Sequence, residues 1–384
     1  MIALHIVVAI DSLKGSLTSL EAGEAIRSGI LRVYPDAQVN VLPLADGGEG
    51  TVEALTLGMG GELQRVNVTG PLGESIAAQY GIIPAKKTAI LEMAAAAGIT
   101  LVPKEQRNPL YTTTYGVGEM LRDAIGKGCR HFIIGIGGSA TNDGGLGMLQ
   151  ALGYKLLDAH GAPVPYGARG LEKLAIIDDA DVLPELRECT FRIACDVTNP
   201  LCGPQGCSAV FGPQKGAALD DITRMDGWLQ HYAELACAQY PHANPQAPGT
   251  GAAGGLGFAF LTFTNATLES GIQIVLTETK LEEQIAKADW VITGEGQLDG
   301  QTVMGKAPIG VAKIARKHDK PVIAFAGCVT PDARLCNEQG IAAFFPILRQ
   351  VTTLAEAMDP HNARQNMTDT VEQVFRLLQI QSAR

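Results

Sequence analysis

The sequence is poor in aromatic residues, which fill 5% of its 384 positions and include two tryptophans. Little is therefore available to stack on nucleic-acid bases. Basic charge is also short: 30 Lys and Arg stand against 40 Asp and Glu, for a net charge of −10. Those two deficits argue against a general nucleic-acid binder. No apolar run approaches the ~20 residues needed to span a bilayer. The longest weakly polar stretch, around Ile90–Val102, is interrupted by Glu92. The first residues, Met1–Ile6, show no basic region, apolar region with cleavage site or Arg-rich lead, so a cytoplasmic location is expected. No pair of the eight cysteines forms C-x-x-C, and Cys195, Cys202 and Cys207 have no histidine nearby to complete a zinc site. Reduced thiols are the expectation.

Glycine is in excess, at 45 of 384 residues, where ~7% is the usual share. It follows no G-X-Y period, which excludes collagen. The length exceeds the ~250–300 residues at which one core stops growing, so two domains are expected. Apolar residues make up 46% and charged residues 18%, enough to build sizeable cores.

His5–Ile10 is apolar and β-branched and reads as a buried parallel strand. Thr18 with Glu21 forms a capping box for a helix with an apolar face of Leu20, Ile26, Ile30 and Leu31. Gln38–Leu44 reads as a second strand, ending in the Gly-bearing loop Ala45–Thr51 before another helix. Loops at strand carboxyl ends build the ligand site in open α/β sheets. Short segments then follow at Glu62–Val68, Ala77–Ile83 and Lys87–Glu92, which predicts an antiparallel meander. After Trp290 the chain returns to strand–helix alternation and ends in a helix through Val371–Leu378. The predicted fold is α/β. A doubly wound Rossmann-like domain is formed by residues 1–63 and 276–384, a mixed α/β domain is inserted at 64–275, and the active site is expected in the cleft between them. Tyr240–Pro248 is the single linker-like stretch, equally readable as an ordered loop.

Gly249–Gly254 matches G-x-G-x-x-G, but a Pro-rich segment stands where the dinucleotide fingerprint requires a strand. Gly300–Lys306 reads G-x-x-x-x-G-K, followed by Ala307 and Pro308 where a P-loop needs Ser or Thr. The predicted strand before it stops at Thr293, too far upstream. Neither standard label fits, and nicotinamide chemistry loses its main support. Three other features point elsewhere. Gly135–Gly145 lies between a predicted strand and helix and can turn amides toward an anion. Thr250–Gly257 repeats that composition. Thr293–Asp299 sets Glu295 and Asp299 just past a predicted strand end. Tight turns and close helix packing would explain any one of them. The three together favour a phosphate–Mg²⁺ site.

These segments resemble the bacterial two-domain glycerate kinase family. The residues that carry the likeness are Asp11–Ser16, Ala45–Thr51, Gly135–Gly145, Asp196–Leu201, Phe211–Ala217, Gly249–Phe258 and Thr293–Gly310. The resemblance implies ATP- and Mg²⁺-dependent phosphorylation of D-glycerate by a two-domain α/β enzyme. It further implies 2-phosphoglycerate as product, with 3-phosphoglycerate as the alternative. No H-R-D or D-F-G segment of protein kinases is present.

Phosphoryl transfer needs positioning and charge neutralisation rather than covalent chemistry. Lys14 is the candidate cation for a phosphate or the glycerate carboxylate, against an ordinary solvated lysine. Asp46 and Glu49 are candidates for glycerate hydroxyls or the reacting proton, against acids that complement a helix dipole. Asp196 suits Mg²⁺ or general-base work, against an Asx-turn. Glu295 and Asp299 form the best metal or base pair. Asp143 is a weaker metal candidate and more readily an N-cap. Nucleotide phosphates are assigned to Gly137, Gly138, Ser139, Lys215, Gly251, Gly254, Gly255 and Lys306. Arg107 is able to clamp a carboxylate, but nothing local separates it from a surface arginine. The remaining readings are a kinase for another small hydroxy acid, a catalytically silent nucleotide-binding regulator and a dehydrogenase. D-glycerate is the expected partner, with no nucleic acid or membrane, in a monomer or homodimer.

Overall fold

A computed structural model describes residues 4–44, 50–304 and 306–382. The chain divides into two compact units, one made of residues 1–46 and 272–384 and the other of residues 47–271. It opens with strands β1 (His5–Val8) and β2 (Gln38–Val41). The central unit supplies β3 (Glu62–Thr69), β4 (Ser75–Ile83), β5 (Thr88–Glu92) and β6 (His131–Gly135). It continues with β7 (Lys155–Leu157), β8 (Ile176–Asp178), β9 (Thr190–Ala194) and β10 (Ala266–Glu269). The chain returns with β11 (Trp290–Leu298), β12 (Val322–Val329) and β13 (Ala343–Pro346).

The unit built from the chain ends carries a sheet ordered β13-β12-β11-β1-β2, with every junction parallel. Strands covered on both faces must be apolar throughout, and Ile6, Val7 and Val8 are all buried. The helix Ser19–Leu31 starts at the expected capping box, in which Thr18 and Glu21 each accept the other's backbone N–H at 3.2 and 3.0 Å. It packs beside the terminal helix Pro360–Ser382 at close range. A β-carbon on Gly29 would stand 2.5 Å from the Thr368 carbonyl oxygen. Ile26 and Ile30 meet Met367, Val371 and Phe375 there, over Ile6, Val8, Ile292 and Phe325 of the sheet. Each such side chain contributes roughly 1.5–3 kcal/mol by leaving water.

The central unit carries a mixed sheet ordered β10-β9-β6-β5-β4-β3. The meander read from the sequence is its antiparallel end, β3 to β5, and the remaining junctions are parallel. Its core is aromatic, with Phe132 stacked on Phe191 at 4.9 Å beside buried Phe258, Phe260 and Tyr232. Residues 47–63, expected with the chain ends, cluster with this unit instead. The reason is that the helix Thr51–Gly58 packs on β3, β4 and β5. Tyr240–Pro248 is an ordered loop within the unit, where the Pro245 carbonyl accepts from Leu201 N and Thr250 Oγ1. The two-stranded ribbon β7–β8 and the edge strand β10 carry no clear alternation and escape the sequence reading.

One difference bears on function. The sequence ends the eleventh strand at Thr293, because Gly-Glu-Gly-Gln breaks the apolar run. In the fold the strand continues to Leu298, with Glu295 opposite Ala326 and Gln297 opposite Cys328. Gly294 permits this. Its φ is +154°, and a β-carbon there would lie 1.8 Å from the Phe325 carbonyl oxygen. Gly294→Ala is therefore expected to lower the unfolding free energy by about 2 kcal/mol or more. A urea midpoint unchanged from wild type would contradict this account of the strand.

Candidate active site

The longer β11 changes the setting of the two carboxylates. Glu295 lies inside the strand rather than after it, and Asp299 begins the turn at its end. Glu295 is buried at 8% exposure. Its Oε1 accepts from Thr302 Oγ1 at 2.7 Å, and its Oε2 lies 3.5 Å from Lys306 Nζ. The same ammonium lies 3.9 Å from Asp299 Oδ1. Asp299 also accepts from Gln297 Nε2 at 2.9 Å and from the backbone amides of Gln301 and Thr302 at 2.8 and 3.2 Å. The turn is braced from the short helical turn Pro331–Arg334 that follows β12, where Asp332 Oδ2 accepts from Gly300 N at 2.9 Å.

The two carboxylates are pushed in opposite directions. Burial raises the pKa of Glu295, against the hydrogen bond from Thr302 and the charge of Lys306. Burial also opposes ionisation of Asp299, but the hydrogen bonds from Gln297 and Gln301, with the Lys306 charge, outweigh it and lower the pKa. Such a split between neighbouring acids separates a proton-accepting role from a permanently charged one.

The loop bearing Lys14 runs beside β11. Asp11 N donates to Gly294 O at 2.9 Å, and a side chain at Gly296 would begin 3.6 Å from Lys14 N. Leu13 and Leu17 exchange backbone hydrogen bonds at 2.9 and 3.0 Å, which closes a tight turn with Gly15 at φ +76°. Lys14 is exposed on that turn, and its ammonium has no partner among the described residues. The Gly300–Lys306 segment follows the strand directly, so the spacing objection to a P-loop falls. Ala307 and Pro308 still deny it the metal-binding hydroxyl. Lys306 stands at the N-cap position of the helix Ala307–Lys317, with no capping hydrogen bond from its side chain.

The central unit holds the other candidates. Gly137 and Gly138 are exposed just past β6. A β-carbon on Gly137 would meet nothing within 4 Å, and one on Gly138 would meet only the Ala94 methyl at 3.7 Å. The rest of the loop is pinned. Gly138 O accepts from Ile99 N, Ala140 N donates to Ala97 O, and Thr112 Oγ1 donates to Ala140 O. Lys215 is buried and donates to Ser139 Oγ at 2.7 Å and Thr141 O at 2.6 Å. Its ammonium braces the loop from within, and burial pushes its pKa down to about 8.

Several expected ligands have structural duties instead. Asp143 is fully buried and accepts from Thr114 N, Thr114 Oγ1, Gly145 N and Gly147 N at 2.8–3.4 Å. Those donors lie at the starts of two helices whose N-cap positions are Thr114 and Gly145, so Asp143 is not itself the N-cap expected from the sequence but ties the two helix starts together from within. Gly251, Gly254 and Gly255 are buried. Gly254 and Gly255, at φ +69° and +92°, press on the loop at Thr141 and Gly144, where β-carbons would come within 2.1 and 2.8 Å. A β-carbon on Gly251 would meet Pro200 O at 2.2 Å. These three glycines allow two backbones to touch and offer no surface to a phosphate. Asp196 is exposed and accepts from Gly271 N at 3.3 Å. Arg107 donates to the carbonyls of Val102 and Ile99 at 3.4 Å. Asp46 and Glu49 lie outside the described residues.

Thr302, Gln297 and Asp332 were missed by the sequence reading. For Thr302 a signal existed: a threonine three residues after Asp299 is the spacing of a side-chain-to-backbone turn. Asp332 carried none, because its contact comes from the turn after another strand, 32 residues away along the chain.

The buried lysine makes a signed prediction. With a folded pKa near 8 against an ordinary ~10.4, the unfolded chain binds more protons between those values. The cost of burying the charge is present below pH 8 and is relieved as pH rises to about 10.4. The unfolding free energy of wild type minus that of Lys215→Met is expected to rise across this window by about 3 kcal/mol. Urea titrations giving a flat or falling difference would refute it.

Known proteins bear on these observations. The model of the glycerate kinase family matches residues 6–379. A glycerate 2-kinase of Escherichia coli (strain K12) is 49% identical over 354 residues, covering 92% of this chain and 93% of its own. A glycerate kinase of Haemophilus influenzae is 47% identical over 375 residues, covering 98% and 99%. A crystal structure from Salmonella typhimurium LT2, provisionally named a glycerate kinase 2, superposes with a TM-score of 0.92 at 47% identity and covers 100% of both chains. With a likeness that runs almost from end to end in both sequence and structure, this chain belongs to the glycerate kinase family.

Proposed function

We propose that the chain transfers the γ-phosphoryl group of ATP to the 2-hydroxyl of D-glycerate. The observation that carries the reading is the cluster of Glu295, Asp299 and Lys306 at the carboxyl end of a parallel strand, with the Lys14 turn alongside, in a member of this family. The 2-position is supported by the Escherichia coli relative, which is named for it.

Glu295 is the candidate proton acceptor. A carboxylate withdrawn from water and held by one hydroxyl is poised to take the proton of a substrate hydroxyl. Asp299, held ionised, is the candidate for facing a cation. The residues fit Mg²⁺: both offer hard oxygen donors, and the Lys306 ammonium already shows that one positive charge is accommodated between them. No group of three or more His, Cys, Asp or Glu side chains suited to a metal occurs among the described residues. One or two carboxylates with water and nucleotide oxygens is the usual way Mg²⁺ is held. When bound, the ion would neutralise phosphate charge. Lys14 and Lys306 would supply further positive charge to phosphate or to the glycerate carboxylate. Gly137 and Gly138 offer the open backbone that a phosphate can approach. Ser139 and Lys215 support that loop, and Asp196 remains an exposed candidate for a further metal or base contact.

We also read the chain-end unit as doubly wound. The helices Ser19–Leu31 and Pro360–Ser382 share a core with Ile6, Val8 and Ile10. The helix Ala307–Lys317 packs on β11 and β12, with residues buried outside that core. A cytoplasmic location is supported by eight cysteines that are all free and by the lack, among the described residues, of a helix long and apolar enough to cross a membrane.

Phosphorus NMR of a reaction with ATP, Mg²⁺ and D-glycerate tests activity and position together. A phosphate ester at carbon 2 couples to one proton and gives a doublet, whereas one at carbon 3 couples to two and gives a triplet. A doublet is expected. A triplet overturns the position, and ATP binding with no ADP formed overturns the activity. Lys14→Ala and Glu295→Gln are each expected to lower kcat by at least ~100-fold, or ~2.7 kcal/mol, in folded protein. Near-wild-type turnover by both would remove the site.

A further inference from the structure

The Thr302 hydroxyl sits where its hydrogen-bond direction is dictated. The residue has no exposed surface. Its Oγ1 receives the backbone N–H of Asp299 at 3.1 Å and lies 2.7 Å from Glu295 Oε1. A backbone amide only donates, so the hydroxyl accepts there, and its one proton goes to the Glu295 carboxylate. The residue's own amide returns to Asp299, reaching the carbonyl at 3.1 Å and Oδ1 at 3.2 Å. One side chain thus ties the buried acid to the turn that carries the second acid.

We propose that Thr302 is a positioning residue for phosphoryl transfer, acting through Glu295. The proposal rests on the reading above, in which Glu295 takes the substrate proton. By occupying Oε1, Thr302 leaves Oε2 as the oxygen that faces Lys306 and remains available to the reacting hydroxyl. It also holds the carboxylate in one rotamer. A carboxylate free to swing between two orientations would spend much of its time out of line, and misplacement of this kind lowers kcat more than binding. A hydroxyl that merely completed the Asp299–Thr302 turn would not need to spend its proton on Glu295.

The test is a double-mutant cycle. Thr302→Val keeps the shape and removes the hydroxyl, and Thr302→Ser keeps the hydroxyl and removes the methyl. Thr302→Val is expected to lower kcat about 10- to 100-fold while KM for ATP and for D-glycerate stays within about threefold. Thr302→Ser is expected to return kcat to within about threefold of wild type. Combined with Glu295→Gln, Thr302→Val should cost less than about threefold more, because its target is already altered. The same cycle on the unfolding equilibrium constant, without nucleotide or metal, should be non-additive by about tenfold.

Wild-type kcat in Thr302→Val, or losses that multiply in the double variant, would overturn the proposal. So would a change confined to KM. Should Thr302→Val fail to fold, Thr302→Ala removes the hydroxyl with less bulk and takes its place in the cycle. The two levels separate cleanly. If Glu295→Gln turns over normally, the reading of Glu295 fails and the proposal with it. If Glu295→Gln is impaired and Thr302→Val is not, only the role of Thr302 fails.

Discussion

A carboxylate removed from water has to be given hydrogen-bond partners, and this constraint organises the chain-end unit around Glu295. Burial alone would drive the acid toward its neutral form. Thr302 and Lys306 oppose that tendency from two sides, one with a hydroxyl proton and one with charge. Both partners come from the segment immediately after β11, so the strand and the turn form one local device. The strand reaches Glu295 in the right register only because Gly294 lets the backbone pass close to the carbonyl of Phe325. An acid placed by main-chain pairing and aimed by a side chain has little freedom left, which is what phosphoryl transfer asks of the protein.

The central unit answers a related demand with backbone. Its loop after β6 leaves two glycines open at one place and is pinned in the residues that follow. Gly137 and Gly138 stay exposed, while the following residues are tied down by segments around Ala97, Thr112 and Lys215. Gly254 and Gly255 bring a second backbone against this loop at a distance no side chain would allow. The glycine excess therefore divides in two. Some glycines stay exposed with open space around them, and others remove space so that loops can pack.

Much of the architecture was legible in local pattern. The alternation of apolar strands and capped helices, the meander from β3 to β5 and the Thr18–Glu21 box all appear where the residues place them. Glu295, Asp299 and Lys306 were legible as candidates, since acids and a lysine among glycines form an uncommon grouping, and the fold brings the three together. Their geometry was not legible. Apolar periodicity ends at Thr293, yet main-chain pairing with β12 continues to Leu298, and pairing leaves no mark in one strand's own sequence. Lys215 read as a phosphate ligand because a lysine among glycines looks the same whether it faces solvent or is enclosed. Gly251, Gly254 and Gly255, assigned to phosphate on the same grounds, are enclosed in the same way.

The sequence by itself determined the class of fold, the family likeness and the pool of candidate residues for the chemistry. These depend on the order and spacing of side chains along the chain. Tertiary structure decided which of those residues are spent on packing and which remain available. It buried Lys215 and Asp143, left Lys14 exposed on its turn and made Thr302 the partner of Glu295. The physical reason is that desolvation and hydrogen-bond pairing are set by how segments pack in three dimensions, and so is the distinction between a cradle and a contact. Local spacing does not carry that information.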